Sequence, residues 1–114
     1  MKSETFFRRT TVDPYLKDLA HAFFISIQQV SLRGSPDKLG VINGFFVALE
    51  LKSDGKLPTP LQDFILTRIT KAGGVALAVR PDNWNRITPL LWGLSQGAIT
   101  PKQIGPWRDY LCSP

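Results

Sequence analysis

The chain has 114 residues, of which 43% are hydrophobic and 20% charged, and it carries a net charge of +5 with a pI near 9.7. This length fits one domain with a single core, and the composition excludes an intrinsically disordered chain. The positive charge favours a polyanionic partner, with nucleic acid first and an acidic membrane surface second.

Cysteine content and hydropathy indicate the compartment. Cys112 is the single cysteine, so no internal disulfide forms and a cytoplasmic location is expected. The first residues, Met-Lys-Ser-Glu-Thr, are not followed by an apolar stretch, which predicts that there is no signal peptide. No apolar run approaches the length of a membrane span, so no membrane association is expected.

The N-terminal third predicts a helix followed by a strand. Residues 3 to 20 have helix-like apolar spacing, in one bent helix or two, with cap signals at Ser3 and Asp13. Residues 22 to 30 form the predicted strand. Both of its faces begin apolar, so we expect both to be covered there, and Gln29 near its far end is a weak candidate for the site face.

A hairpin over residues 37–43 and 45–52 sets the positions of two acids. Asn43-Gly44 is the strongest short signal for a type I′ turn, and counting outward from it places Asp37 opposite Glu50, about 5 Å away. At an effective dielectric of about 20, two anions at that distance repel by about 3 kcal/mol. A divalent cation between them reverses that sign, and Lys52 on the same face relieves part of it. The hairpin therefore predicts a magnesium-type site suited to cutting a phosphodiester.

The second half predicts a helix, a buried strand and further helices. Thr59 to Gln62 is a capping box that opens a helix, and residues 75 to 80 read as a buried strand, parallel to a neighbour. Pro89 must kink the next helix or begin a new one. The helix after Thr59 has a predicted buried stripe of Leu61, Phe64, Ile65, Ile69 and Ala72. The element order indicates an α/β domain with a mixed sheet and an antiparallel hairpin at its centre.

These motifs together resemble a stand-alone VRR-NUC domain of the PD-(D/E)xK nuclease superfamily. The likeness rests on R-G-S-P-D at residues 33–37, E-L-K at 50–52 and A-G-G-V-A-L-A-V-R-P at 72–81. It implies one domain over 1–114, with a restriction-endonuclease-like αβββαβ core over roughly 3–92 and extra C-terminal helices over 93–114. It also implies the cytoplasm of a bacterial or phage-infected host cell.

The resemblance assigns roles to individual residues. Lys38 departs from it, because the family usually has an aliphatic residue after P-D, and we expect Lys38 at a rim of the sheet or in a basic contact on the face opposite the site. Helix-dipole preference is a competing explanation for Glu4, and the capping box is one for Gln62. The expected catalytic residues are Asp37, Glu50, Lys52 and Gln62; the expected metal ligands are Asp37, Glu50 and Glu4; the expected DNA contacts are Arg33 and Lys56.

The function implied is a Mg²⁺- or Mn²⁺-dependent endodeoxyribonuclease, most similar to Holliday-junction resolvases. We expect branched DNA as substrate, a homodimer, and no small-molecule cofactor. The apolar segment around Trp107 is a candidate contributor to the dimer interface. Two alternatives stay open: a flap- or restriction-type nuclease, and a non-catalytic nucleic-acid-binding domain on the same fold.

Overall fold

A computed structural model describes residues 3–27 and 33–114. Within this part of the chain, four strands form one mixed sheet in the order β1-β2-β3-β4. The first three strands are antiparallel, and β4 runs parallel to β3, which confirms the predicted α/β class. The elements are α1 (Glu4–Phe7), a π-helical turn (Arg8–Val12), α2 (Asp13–Asp18), β1 (Ala22–Ser26), β2 (Lys38–Ile42), β3 (Phe45–Leu51), α3 (Pro60–Lys71), β4 (Val75–Val79), α4 (Trp84–Ser95), α5 (Pro101–Ile104), a 3₁₀ helix (Gly105–Trp107) and α6 (Arg108–Cys112).

The N-terminal helical region starts where its cap predicts. The Ser3 hydroxyl accepts the Phe6 N–H at 3.0 Å, which satisfies one of the free donors of the first turn. Asp13 has helical dihedrals, φ −60° and ψ −45°, so its predicted role as the cap of a second helix is wrong. The π-helical turn carries the chain on without a break, and the Asp13 carboxylate is used elsewhere, in an ion pair with Lys38.

Strand β1 is covered on one face only. Phe24 packs against the core, whereas Phe23 is 69% exposed and Ile25 is 50% exposed, so the predicted cover on both faces is wrong. The reason is that α3 packs over β3 and β4 and not over this edge strand. Residues 28–32, including Gln29, lie outside the described residues.

The hairpin has the predicted turn and register. Asn43 and Gly44 both have positive φ, 51° and 86°, as a type I′ turn requires. Ile42 pairs with Phe45, and the ladder continues without a bulge to Lys38 and Leu49.

Helix α3 begins at its capping box, and Ile69 of its predicted buried stripe packs against the sheet, but the fully buried residue of the helix, Leu66, is not in that stripe. The Thr59 hydroxyl accepts the Gln62 N–H at 3.2 Å, and the Gln62 side-chain oxygen accepts the Thr59 N–H at 2.9 Å. Leu61 is 46% exposed and Phe64 is 56% exposed, while Leu66 is fully buried. Leu66 packs against small strand residues, Ala48, Ala76 and Ala78, which let the helix approach the sheet closely through that side.

The main core lies on the other face of the sheet, under the N-terminal helical region and α4. Strand β4 is buried along its whole length, as predicted, and Pro89 lies inside a single helix, α4, and does not begin a new one. No helix in residues 3–27 and 33–114 is both long and apolar enough to cross a bilayer. The core side chains are Phe7, Val12, Leu16, Ile42, Val47, Leu49, Leu51, Val75, Leu77, Val79, Ile87, Leu91, Leu94, Ile104 and Leu111.

Candidate active site

The hairpin brings Asp37 and the end of β3 together at one end of the sheet. The ladder stops at the Lys38–Leu49 pair, and Asp37 is the next residue outward, beside Glu50. The Asp37 Oδ2 atom accepts the Leu51 N–H at 2.8 Å, so the Asp37 carboxylate is anchored to the backbone of β3. The two acids therefore share the face of the sheet that α3 partly covers.

Glu50 is a buried carboxylate that lacks a full set of partners. Its side chain is 3% exposed, and its Oε1 atom is buried without a hydrogen-bond partner in the described part of the chain. Its Oε2 atom lies 3.8 Å from the ammonium nitrogen of Lys52, whose side chain is 16% exposed. Burial of a charged oxygen without a partner costs free energy, so this site holds an arrangement that a bound cation would stabilise.

Burial and the neighbouring charges also affect the protonation of Glu50. Burial, followed by the negative charge of Asp37, raises the pKa of Glu50 from its usual value near 4.5 to about 8, although Lys52 opposes the shift. A hydrogen bond between the two side chains also raises this pKa. The neutral form of Glu50 is therefore favoured at neutral pH when no cation is bound. A divalent cation is the natural replacement for that proton.

The donor set fits Mg²⁺ or Mn²⁺ in part. The free Glu50 oxygen and the Asp37 carboxylate are hard oxygen ligands, which both ions prefer. Among residues 3–27 and 33–114, no three His, Cys, Asp or Glu side chains converge closely enough to hold a metal on their own. Magnesium is commonly held by one or two carboxylates, with water and substrate phosphate completing its shell, so two ligands suffice.

Glu4 lies near the pair but is exposed. Desolvation, followed by the charge of Asp37, raises the pKa of Glu4, while Lys52 lowers it. The carboxylate of Glu4 therefore senses the same charges as Glu50 from the start of α1. Its role as a third metal ligand stays a prediction.

Lys38 has a structural contact that the sequence did not indicate. It is 6% exposed, and its ammonium lies 2.6 Å from Asp13 Oδ1 and 2.6 Å from Ser26 Oγ. It projects from the face opposite Glu50, as predicted, and as the first residue of β2 it lies at the end of the sheet, where its basic contact is an internal ion pair. The ion pair joins α2 to the sheet.

Arg33 and Gln62 line one surface cavity at the start of α3. Gly34, Thr59, Pro60 and Leu61 complete its lining. Arg33 is exposed, and the Gln62 side-chain oxygen is occupied by the capping box, which leaves its amide nitrogen for an incoming group. Lys56 is also exposed but does not line this cavity; it lies in the turn that follows Lys52.

Two residues near Lys52 were missed by sequence reasoning. Arg80 is fully buried, and its Nε atom donates to Asp82 Oδ1 at 2.8 Å. From the sequence, Arg80 is only the last residue of a buried strand over residues 75 to 80. The signal that could have found it is its charge, because a strand that is otherwise apolar rarely carries a charge without a role.

Comparison with protein-family models finds no match for this chain, and comparison with curated proteins finds none either. The nuclease interpretation therefore depends on the chemistry of three side chains, Asp37, Glu50 and Lys52. It also depends on the order of the elements that carry them, in which a helical region, three antiparallel strands, a helix and a parallel strand follow one another.

Proposed function

We propose that this protein is a Mg²⁺- or Mn²⁺-dependent endodeoxyribonuclease with a restriction-endonuclease-like core. The observation that carries the proposal is Glu50, a buried carboxylate with the Asp37 carboxylate beside it, an ammonium 3.8 Å away, and an oxygen that has no hydrogen-bond partner among the described residues. Two acids with an adjacent amine suit metal-assisted hydrolysis of a phosphodiester. The net charge of +5 supports a polyanionic substrate.

Each side chain has a defined task in this proposal. Asp37 and Glu50 hold the metal ion, which when bound polarises the scissile phosphate and lowers the pKa of a water. Lys52 orients the attacking water and stabilises the negative charge that develops on phosphate oxygens. Arg33 and Lys56 bind flanking phosphates of the DNA backbone and so position the strand.

A homodimer acting on branched DNA is the assembly that we propose. Phe23, Ile25, Val41 and Phe46 are all exposed and lie on the sheet face that carries the two acids, with Phe23, Val41 and Phe46 in a row toward its other end. None of these four side chains is charged, so the apolar sheet face that they form does not suit DNA, and a second copy of the chain is its proposed occupant. Symmetric cleavage of two strands requires two active sites related by a two-fold axis, which a homodimer provides.

The test compares Asp37→Asn, Lys52→Ala and the matched control Asp13→Asn with the wild type. Four-way, flap, nicked and plain duplex DNA are incubated in Mg²⁺, and folding is checked by circular dichroism. We expect the first two variants to lose about 100-fold or more in cleavage rate while staying folded. Asp13→Asn removes the same charge on the opposite face of the sheet and should cut normally.

The outcomes separate the alternatives. Undiminished cutting by Asp37→Asn or Lys52→Ala would end the assignment. Cleavage by the wild type mainly of flap or plain duplex DNA would favour a flap or restriction-type enzyme over a resolvase. Salt-sensitive DNA binding with no cleavage of any substrate would indicate a non-catalytic binding domain.

A further inference from the structure

The ends of β3 and β4 place a buried arginine beside Lys52. These strands run parallel with Leu51 opposite Val79, and the Lys52 N–H donates to the Val79 carbonyl at 2.9 Å. Arg80 therefore follows β4 at the level of Lys52 and projects from the same face of the sheet. It is 0% exposed, whereas most arginines lie at the surface.

The contacts of Arg80 converge on the turn over residues 53–56, which directly follows Lys52. One guanidinium nitrogen, Nη1, donates to the Lys56 carbonyl at 3.3 Å, and Nε donates to Asp82 Oδ1 at 2.8 Å. The other oxygen of Asp82 accepts the Gly55 N–H at 2.7 Å. The turn is thus held at two backbone points by one ion pair.

The Arg80–Asp82 ion pair and its contacts to the turn form a clamp. This clamp costs free energy, and a surface turn does not require such contacts. The Nη2 atom of Arg80 is buried and has no hydrogen-bond partner among the described residues. The turn itself already has an internal hydrogen bond, from the Lys56 N–H to the Ser53 carbonyl at 3.1 Å. An incompletely paired buried cation beside a candidate site is a feature that folding alone does not explain.

We propose that Arg80 and Asp82 are positioning residues of the nuclease site, an inference that rests on the proposed function. By fixing the turn over residues 53–56, they hold the Lys52 ammonium next to Glu50 and direct Lys56 toward the DNA. They touch neither metal nor substrate. Their effect is geometric, because small displacements of a catalytic group lower the rate strongly.

Asp82→Ala is the variant that tests this role, since Asp82 is exposed and the substitution removes the carboxylate that pairs with Arg80; circular dichroism checks that the variant stays folded. We expect amide hydrogen exchange at Gly55, followed by NMR, to become about 10-fold faster or more, because its acceptor is gone. At saturating DNA and Mg²⁺, kcat should fall about 10-fold. The Mg²⁺ concentration for half-maximal activity should stay unchanged, because Asp37 and Glu50 are untouched.

Two further variants separate positioning from general stability. Asp82→Asn keeps an acceptor for Gly55 and should recover part of the lost rate. Asp13→Ala also leaves a buried cation, Lys38, without its carboxylate, but on the opposite face. It should alter neither Gly55 exchange nor kcat.

These measurements distinguish failure of the positioning role from failure of the nuclease assignment. Suppose that the wild type cleaves DNA. If Asp82→Ala then leaves either kcat or the amide exchange at Gly55 unchanged, the positioning role alone is overturned. The same would follow if Asp13→Ala lowered kcat as much as Asp82→Ala. Absence of cleavage by the wild-type protein would overturn the nuclease assignment and this role with it, even if Gly55 exchange showed that the clamp exists.

Discussion

At the scale of the residue, the burial that suits Glu50 to the proposed chemistry also makes its charged form unfavourable in the metal-free protein. Its side chain is 3% exposed and one of its oxygens has no partner among residues 3–27 and 33–114, so the metal-free protein favours its neutral form. Asp37 and Lys52 act on it with opposite signs. Arg80 is likewise a buried charge, and it is paired with Asp82 through its Nε atom.

The raised pKa of Glu50 predicts a pH-dependent stability. The folded state keeps this proton up to about pH 8, whereas the unfolded chain releases it near pH 4.5. The contribution of protonated Glu50 to the free energy of unfolding is therefore fully present below about pH 4.5 and is lost as pH rises toward 8. We expect Glu50→Gln to be more stable than the wild type at pH 8 by a few kcal/mol, and to show a flatter pH profile in urea unfolding.

Metal addition extends the same prediction. Mg²⁺ replaces the proton on Glu50, so it should raise the Tm of the wild type more at pH 8 than at pH 6. The increase in Tm should be much smaller in Glu50→Gln. Asp63→Asn, at an exposed position of α3, is the control and should follow the wild type. Parallel stability profiles for wild type and Glu50→Gln would show that Glu50 is not the buried acid described here.

At the scale of the element, the hairpin is where local sequence and structure agree best. Asn43-Gly44 specified the turn, and the turn specified the register, because each backbone step swaps the face of every side chain. Helix α3 is the opposite case. Its capping box was predictable, but the full burial of Leu66 was not, because it depends on the alanines of β3 and β4 beneath that residue.

Gly44→Ala tests the turn. The φ of Gly44 is 86° and no atom of the described residues lies within 4 Å of an added Cβ, so the expected cost is conformational strain. We expect the free energy of unfolding to fall by about 1 kcal/mol. Gly105→Ala is the matched control, since φ −49° and ψ −48° are helical and its added Cβ makes an ordinary contact. Chemical denaturation of both variants provides the measurement, and equal losses would argue against strain at the turn.

At the scale of the whole molecule, the coverage of the sheet determines which surfaces are free. One face is sealed by the N-terminal helical region and α4, while α3 covers only part of the other. The segment around Trp107 was the predicted dimer contributor, and Trp107 is indeed 63% exposed. The apolar sheet face formed by Phe23, Ile25, Val41 and Phe46 is the alternative that the fold reveals.

Phe23→Glu and Trp107→Glu distinguish these two surfaces. If the apolar sheet face forms the dimer, light scattering should give the mass of two chains for the wild type and for Trp107→Glu, and of one chain for Phe23→Glu. Phe23 is 69% exposed, so the charge should leave the fold intact. A monomeric wild type would contradict the dimer, and dissociation by Trp107→Glu alone would assign the interface to the C-terminal segment.

The amino-acid sequence by itself determined the features that depend on neighbours in the chain. These are the caps at Ser3 and Thr59, the turn at Asn43-Gly44 and the register that follows from it. Caps and turns are local because they satisfy backbone groups a few residues away.

Other cases of burial and long-range pairing depend on the folded arrangement of the chain and could not be predicted from the sequence. The tertiary structure buried Glu50 and raised its pKa, paired Lys38 with Asp13, brought Arg80 and Asp82 to the turn after Lys52, and left one face of β1 exposed. The physical reason is that each of these depends on which helix covers which strand. That choice is made by packing between distant segments, and side-chain spacing along one segment does not encode it.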